Sequence, residues 1–207
     1  DLPHEIHAYT PAFDWRWAYW HELNAELAFA ARMRTNTITH PPRLGGRNPQ
    51  PLIGHTLNQL LPVEVYGETH PEYFALVDKE RRLAEYNGPQ IVSTHPEVID
   101  LITGAVREQI AANPGQRMVV VSPNDNPHYD RSWRSRVINE REESAIGAHL
   151  SMVNAVAARI ADDYPDIRIG TLAYWWGRTP PRYLRPHPNV TIQAAGLFTT
   201  GVWPLDA

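Results

Sequence analysis

The chain has 207 residues, 43% hydrophobic and 20% charged, with a net charge of −4 at pH 7 and no cysteine. That content supports a folded core and excludes a disordered or fibrous chain, and the lack of thiols excludes a disulfide framework, a cysteine nucleophile and a thiolate metal site. The arginines are interleaved with acids rather than gathered, which offers no track for a nucleic-acid backbone, and no apolar run approaches the roughly 20 residues that span a bilayer.

In chain order, Asp1-Leu-Pro-His-Glu5 lacks the basic and apolar regions of a secretion signal. Phe13 to Trp20 is aromatic with a period near two, which predicts a strand or strand exit. Glu22 to Arg34 places Leu23, Leu27, Ala30 and Met33 on one face of an amphipathic helix. Thr35 to Thr39 is a short β-branched segment, His40 to Pro51 is loop by its prolines and glycines, and Leu52-Ile-Gly-His-Thr56 reads as another short strand. Leu61 to Tyr66 predicts a helical turn with Pro62 in its first turn. A long connection through His70-Pro-Glu-Tyr-Phe-Ala-Leu-Val-Asp78 then leads to a strand starting at Gln90-Ile-Val-Ser93.

Thr94-His-Pro-Glu97 has the spacing of a capping box, and the helix behind it runs to about Ala112, burying Val98, Leu101, Ile102, Ala105 and Ile110 before Asn113-Pro-Gly115 ends it. Met118 to Val121 is a continuous apolar strand that opens directly into Ser122-Pro-Asn-Asp-Asn126, a polar turn with the carboxylate of Asp125 at its tip. His128, Tyr129, Asp130, Arg131, Trp133, Arg134 and Arg136 crowd the same loop. Ser144 to Asp162 carries Ile146, Leu150, Val153, Ala157 and Ile160 at steps of three and four, the strongest helix pattern in the chain. Ile167 to Tyr174 is a strand that ends in Trp175-Trp176, and Val190 to Ala194 is another.

Strand, helix, strand, helix, strand is the rhythm of a parallel sheet. Polar and aromatic residues recur after successive strands and no glycine-rich phosphate loop follows the first, which favours a (β/α) TIM-like barrel over an open doubly wound sheet. About six strands are visible where a closed barrel has eight and roughly 250 residues, so the expectation is an α/β fold: one domain over residues 1–207, an incomplete barrel of a longer chain. The absence of an initiating Met and the stop at Trp203-Pro-Leu-Asp-Ala207 fit the same expectation, and a periplasmic or extracellular location stays open.

Pro11-Ala-Phe-Asp-Trp-Arg16, Gly54-His-Thr56 leading to Leu60-Leu-Pro62, His70-Pro-Glu-Tyr-Phe-Ala-Leu76, Ser122-Pro-Asn-Asp-Asn126, and Thr171-Leu-Ala-Tyr174 followed by Pro180-Pro181 occur in this order across the chain. Together they resemble the bacterial domain of unknown function 4838, which is grouped with TIM-barrel glycoside hydrolases. Two departures stand out. Where that family commonly places Cys-x-Cys-x-x-Cys, this chain has Asp130, Ser132 and Ser135; where it tends to carry Asp-Gly-Lys-Arg, this chain reads Asp78-Lys-Glu-Arg81. The second removes a glycine from a turn.

By itself, Asp125 is equally a functional carboxylate and a turn residue capping its own loop; the resemblance favours the first. Glycoside hydrolysis needs two carboxyls, and Glu72 is the first candidate for the second because its loop belongs to the resemblance; Glu64, Asp14 and Asp130 rank behind it. His55, after a strand, is a candidate substrate donor or proton shuttle as well as a buried structural histidine. Arg16 is a candidate carboxylate clamp or an internal bridge. Asn124 and Asn126 are candidate substrate hydrogen-bonding groups, and Tyr174 or Trp175 a candidate stacking wall for a sugar ring. Asp125-x-x-His128-x-Asp130 is too loose a spacing for a metal site, so the expectation is no metal and no cofactor. The function expected is hydrolysis of glycosidic bonds in a poly- or oligosaccharide; a noncatalytic carbohydrate-binding barrel and a polysaccharide lyase are the alternatives.

Overall fold

The computed structural model describes residues 10–12, 16, 20–36, 42–44 and 53–195. The chain divides into two compact units, Asp1–Pro51 and Leu52–Ala207. In the first, the predicted helix is broken at Glu26 (φ −106°, ψ 78°) into α1 (His21–Ala25) and α2 (Leu27–Arg32). Leu23 and Ala30 are buried, whereas Met33, placed on the same face by periodicity, is exposed. Arg16 is tied to the end of α2: its Nε donates to the Arg34 carbonyl at 2.9 Å, and its backbone amide to Asn36 Oδ1 at 2.7 Å. The aromatic segment around Arg16, the β-branched segment beyond Asn36 and most of the loop to Pro51 lie outside the described residues.

The second unit is mixed α/β, built on a parallel three-stranded sheet. In chain order it holds α3 (Leu57–Leu60), α4 (Val63–Tyr66), the two-residue strands β1 (Leu76–Val77) and β2 (Glu80–Arg81), α5 (Pro96–Ala112), β3 (Met118–Val120), α6 (Trp133–Arg141), α7 (Gly147–Ala161), β4 (Arg168–Ala173) and β5 (Val190–Ala194). β3 pairs with β4 from Met118 opposite Arg168, and β4 with β5 from Ile169 opposite Val190, both in parallel. Among the described residues the sheet is open, so the barrel expectation is met only at the level of a parallel α/β unit.

β3 is buried along its whole length, as a parallel strand covered on both faces must be. Val98, Ile102 and Val106 of α5 meet Val153, Val156 and Ile160 of α7 in one core with Val119 and Ile169, each fully buried. Burial of such side chains contributes about 1.5 to 3 kcal/mol apiece, which is why the three- and four-residue spacing on these helices dictates their packing. α5 begins with Pro96 in its first turn, but the expected capping box does not form. The Thr94 hydroxyl instead meets Ser135 Oγ at 3.3 Å, and Glu97 accepts from the Tyr73 phenol. The partners offered by α6 and by residues 70–74 outbid the local cap.

Two other strands differ from expectation. Gln90–Ser93 makes a single antiparallel bridge, Ile91 to Phe74, because residues 73–75 take its hydrogen bonds. Ile53–Thr56 forms no ladder, yet it lies along the β3 edge away from β4. The Thr56 hydroxyl donates to the Val120 carbonyl at 2.9 Å and accepts from the Ser122 amide at 3.0 Å. Gly170 makes room for this segment, since a Cβ there would lie 3.1 Å from Ile53.

The β4–β5 crossover contains no α-helix, only a 3-10 turn at Trp175–Gly177 and a proline-rich stretch. Polar side chains hold it in place of a packed helix. Glu142 Oε2, buried, accepts the Tyr183 and Leu184 amides at 2.8 and 2.7 Å, and these bonds keep its carboxyl below the usual range. Asn154 grips the Arg185 carbonyl and the His187 amide. α6, which sequence periodicity did not reveal, buries only Ser135.

Candidate active site

β3, β4 and β5 are parallel, so their C-terminal ends share one rim, and the candidate site lies there. β3 runs through Val121 and Ser122, whose hydroxyl accepts from the Leu172 amide of β4 at 3.2 Å, and opens at Pro123. Asn124 and Asn126 are buried and directed into the protein, where Gln90 clasps them. Gln90 Oε1 accepts from the Asn124 amide at 3.1 Å and its Nε2 donates to the Asn124 carbonyl at 2.7 Å. The Asn124 side chain donates to the Pro89 carbonyl at 2.7 Å, and that of Asn126 to the Gly88 carbonyl at 2.9 Å. Both amides therefore shape the loop rather than face its mouth. Asp125, between them, points out with its side chain 35% exposed.

His55 stands against this carboxylate. Its Nδ1 is 2.7 Å from the Pro123 carbonyl oxygen, and its Nε2 is 3.9 Å from Asp125 Oδ1. A carbonyl can only accept, so Nδ1 carries a proton, and the Nε2 edge of the ring faces Asp125. Behind His55, the Tyr174 ring lies 5.8 Å away at 57°, and Trp175 follows at 6.3 Å from Tyr174. Trp175 is 41% exposed and has φ +48°, a region costly for a bulky side chain. That reversal sends Trp175 outward and Trp176 inward, where the Trp176 indole donates to the Asn126 carbonyl at 3.0 Å and stacks on Tyr129 at 5.0 Å.

The loop's remaining polar groups fall into two sets. Asp130 is buried: its Oδ1 accepts from the Leu76 and Ser132 amides, and its Oδ2 from the Ser132 hydroxyl at 2.5 Å. With Ser135 bonded to Thr94, the three positions that replace the cysteine cluster are an internal hydrogen-bonded lock. His128 instead sits against Glu85, with Nδ1 2.7 Å from Oε1. Among the described residues, no group of three His, Asp or Glu side chains could hold a metal ion, and no helix is long and apolar enough to cross a membrane.

The structure thus brings together Asp125, His55, Tyr174 and Trp175, with Asn124 and Asn126 as their foundation. Glu72 belongs to another cluster: it is exposed and accepts from His70 Nδ1 at 2.9 Å, which holds its carboxyl below the usual range. His70 stacks on Tyr73 at 4.6 Å, and the described contacts of Glu72 do not reach Asp125. Arg16 lies in the Asp1–Pro51 unit. Sequence reasoning missed Gln90, Thr56, Glu85 and Trp176. The Gly88-Pro-Gln90 turn next to a short strand was the available signal for the first.

Comparison with curated proteins finds no match. Among solved structures, the chain is similar to a GH36 alpha-galactosidase from Geobacillus stearothermophilus in complex with stachyose, at 17% identity and a TM-score of 0.34. The match covers 51% of this chain and 14% of that one. The family model described as Domain of unknown function (DUF4838) matches residues 1–206, and the chain belongs to that family.

Proposed function

We propose that the protein is a carbohydrate-active hydrolase, with Asp125 as the carboxylate that activates water at a glycosidic bond. The observation that carries this reading is the Asp125–His55 pair, with Oδ1 and Nε2 3.9 Å apart and His55 Nδ1 held by the Pro123 carbonyl. With His55 neutral and its proton on Nδ1, Nε2 and Asp125 are two acceptors at a spacing that suits a water molecule, which has a proton for each and then turns its lone pairs away from both. A sugar hydroxyl has one proton and satisfies only one of them. As the water oxygen bonds to the anomeric carbon, its proton passes to Asp125; the glycosidic C–O bond breaks, and its electrons go to the leaving oxygen, which takes up a proton. Tyr174 and Trp175 form a wall for the apolar face of the sugar ring. The parallel strands, with Ile53–Thr56 beside them, support an arc of a (β/α) barrel whose C-terminal rim is the substrate face.

The test is turnover of an aryl-glycoside panel and of polysaccharides by wild type and Asp125→Asn. The reading expects hydrolysis by the wild type, its loss in the variant, and retained sugar binding. Binding without turnover by the wild type would make this a noncatalytic barrel. An unsaturated product absorbing near the ultraviolet edge would make it a lyase.

A further inference from the structure

We infer that Glu85 and His128 are the second proton-handling pair of this site, with His128 as the acid for the leaving oxygen and Glu85 as its positioning residue; this rests on the hydrolase reading above. The Glu85 side chain is only 12% exposed, and its Oε1 lies 2.7 Å from His128 Nδ1. A carboxylate so nearly buried costs several kcal/mol unless a cationic or donating partner faces it, and the imidazole is that partner. His128 Nδ1 is fully buried while the side chain is 34% exposed. The exposed part of the side chain therefore lies away from Nδ1.

Both members are fastened to the residue next to Asp125. The His128 amide donates to Asn126 Oδ1 at 3.1 Å, and the Asn126 side-chain nitrogen donates to the Gly88 carbonyl at 2.9 Å. The Gly88 amide in turn donates to the Glu85 carbonyl at 3.0 Å. Gly88 has φ +83°, and a Cβ on it would lie 2.4 Å from Asn58, so this turn is held in one form. One asparagine amide thus sets the placement of Glu85, His128 and Asp125 together.

The arrangement repeats that of His55. In each imidazole Nδ1 lies 2.7 Å from a fixed oxygen, the Pro123 carbonyl for His55 and Glu85 Oε1 for His128, and Nε2 is left to act. A glycosidase needs an acid as well as a base, and here the second carboxyl works through a ring. In its protonated form His128 passes the Nε2 proton to the leaving oxygen as the C–O bond breaks, and Glu85 stays against Nδ1–H throughout. The proton that water loses to Asp125 returns to solvent, from which His128 is recharged, so the net reaction adds one water across the bond.

The experiment uses the purified chain with aryl glycosides of one sugar and graded leaving groups, from dinitrophenol to methanol. A lost acid matters for a poor leaving group and hardly for a good one. His128→Ala is expected to lower kcat/KM roughly 100-fold or more for the poor leaving groups and to leave the dinitrophenyl substrate near wild type. Asp125→Asn lowers both. Glu85→Gln should show the His128→Ala pattern in milder form, with rescue by Glu85→Asp, and nitrogen-15 NMR should find the His128 proton on Nδ1 in wild type but mixed between nitrogens in Glu85→Gln. Equal losses across all leaving groups, or wild-type rates in Glu85→Gln, would overturn the assignment while leaving Asp125 in place. Failure of the wild type to turn over any member of the series would instead remove the hydrolase reading itself.

Discussion

His55 donates through Nδ1 to the carbonyl of Pro123, 68 positions away in sequence and two before Asp125. Asp125 and His55 are therefore referenced to the same peptide segment. The geometry of the pair depends on that bond and on Thr56, which anchors the His55 segment to β3.

Thr56→Val keeps the shape but removes the hydroxyl that serves the Val120 carbonyl and the Ser122 amide. Leaving those buried groups unpaired costs about 1 to 3 kcal/mol. Urea denaturation should show a lower midpoint at an unchanged slope, and turnover should fall as well because His55 moves with its segment.

Asn124 and Asp125 are neighbours with opposite expected phenotypes. Asn124→Ala deletes a buried amide that serves the Pro89 carbonyl and the Asn58 amide, so it should lower stability by about 1 to 3 kcal/mol. Asp125→Asn changes a partly exposed group whose only described side-chain partner is His55, and its stability should stay within about 0.5 kcal/mol while turnover drops about 100- to 10,000-fold. Thermal melts beside kinetics separate the two; a strongly destabilised Asp125→Asn would make Asp125 a structural residue.

His149 gives the protein a pH-dependent stability. It is buried on α7, bonds Thr171 of β4 through Nε2 at 3.1 Å and the Val121 backbone as well, and burial pushes it down from 6.5 to about 4. The unfolded chain takes up the proton first, so this contribution is complete above about pH 6.5, declines as pH falls toward 4, and levels off below. Over that window it amounts to about 3 kcal/mol. Melting temperature measured from pH 7 to 4.5 should fall less steeply in His149→Gln than in wild type; parallel curves would count against the linkage.

The β1–β2 hairpin carries Asp78 and Lys79 at φ +51° and +69°, the two left-handed positions of a type I′ turn, for which Asp-Gly is favoured. Relief of a left-handed side-chain residue is worth about 1 to 2 kcal/mol and the added glycine entropy costs about 0.5 to 1. Lys79→Gly should therefore stabilise by about 0.5 to 1 kcal/mol, read as a higher denaturation midpoint.

Much of the framework was legible because burial leaves a local trace. Ile146, at the N-cap of α7, and Leu150, Val153, Ala157 and Ile160 within it are all buried, and β5 spans the expected Val190–Ala194. α6 escaped notice because a helix that buries one serine has no apolar stripe to display. The capping box at Thr94 misled for the opposite reason: its local pattern was sound, and a residue of α6 took the hydroxyl.

By itself the sequence determined the elements with a buried face, the polar exit of β3 and the outward candidate at Asp125, since side-chain period and turn chemistry act over a few residues. Only the tertiary structure decided that Asn124 and Asn126 turn inward, that Asp130 is a lock, and that His55 and Glu85 arrive from 70 and 40 positions away. Those outcomes rest on hydrogen bonds and ion-pair contacts between distant segments, and such contacts leave no periodicity to read.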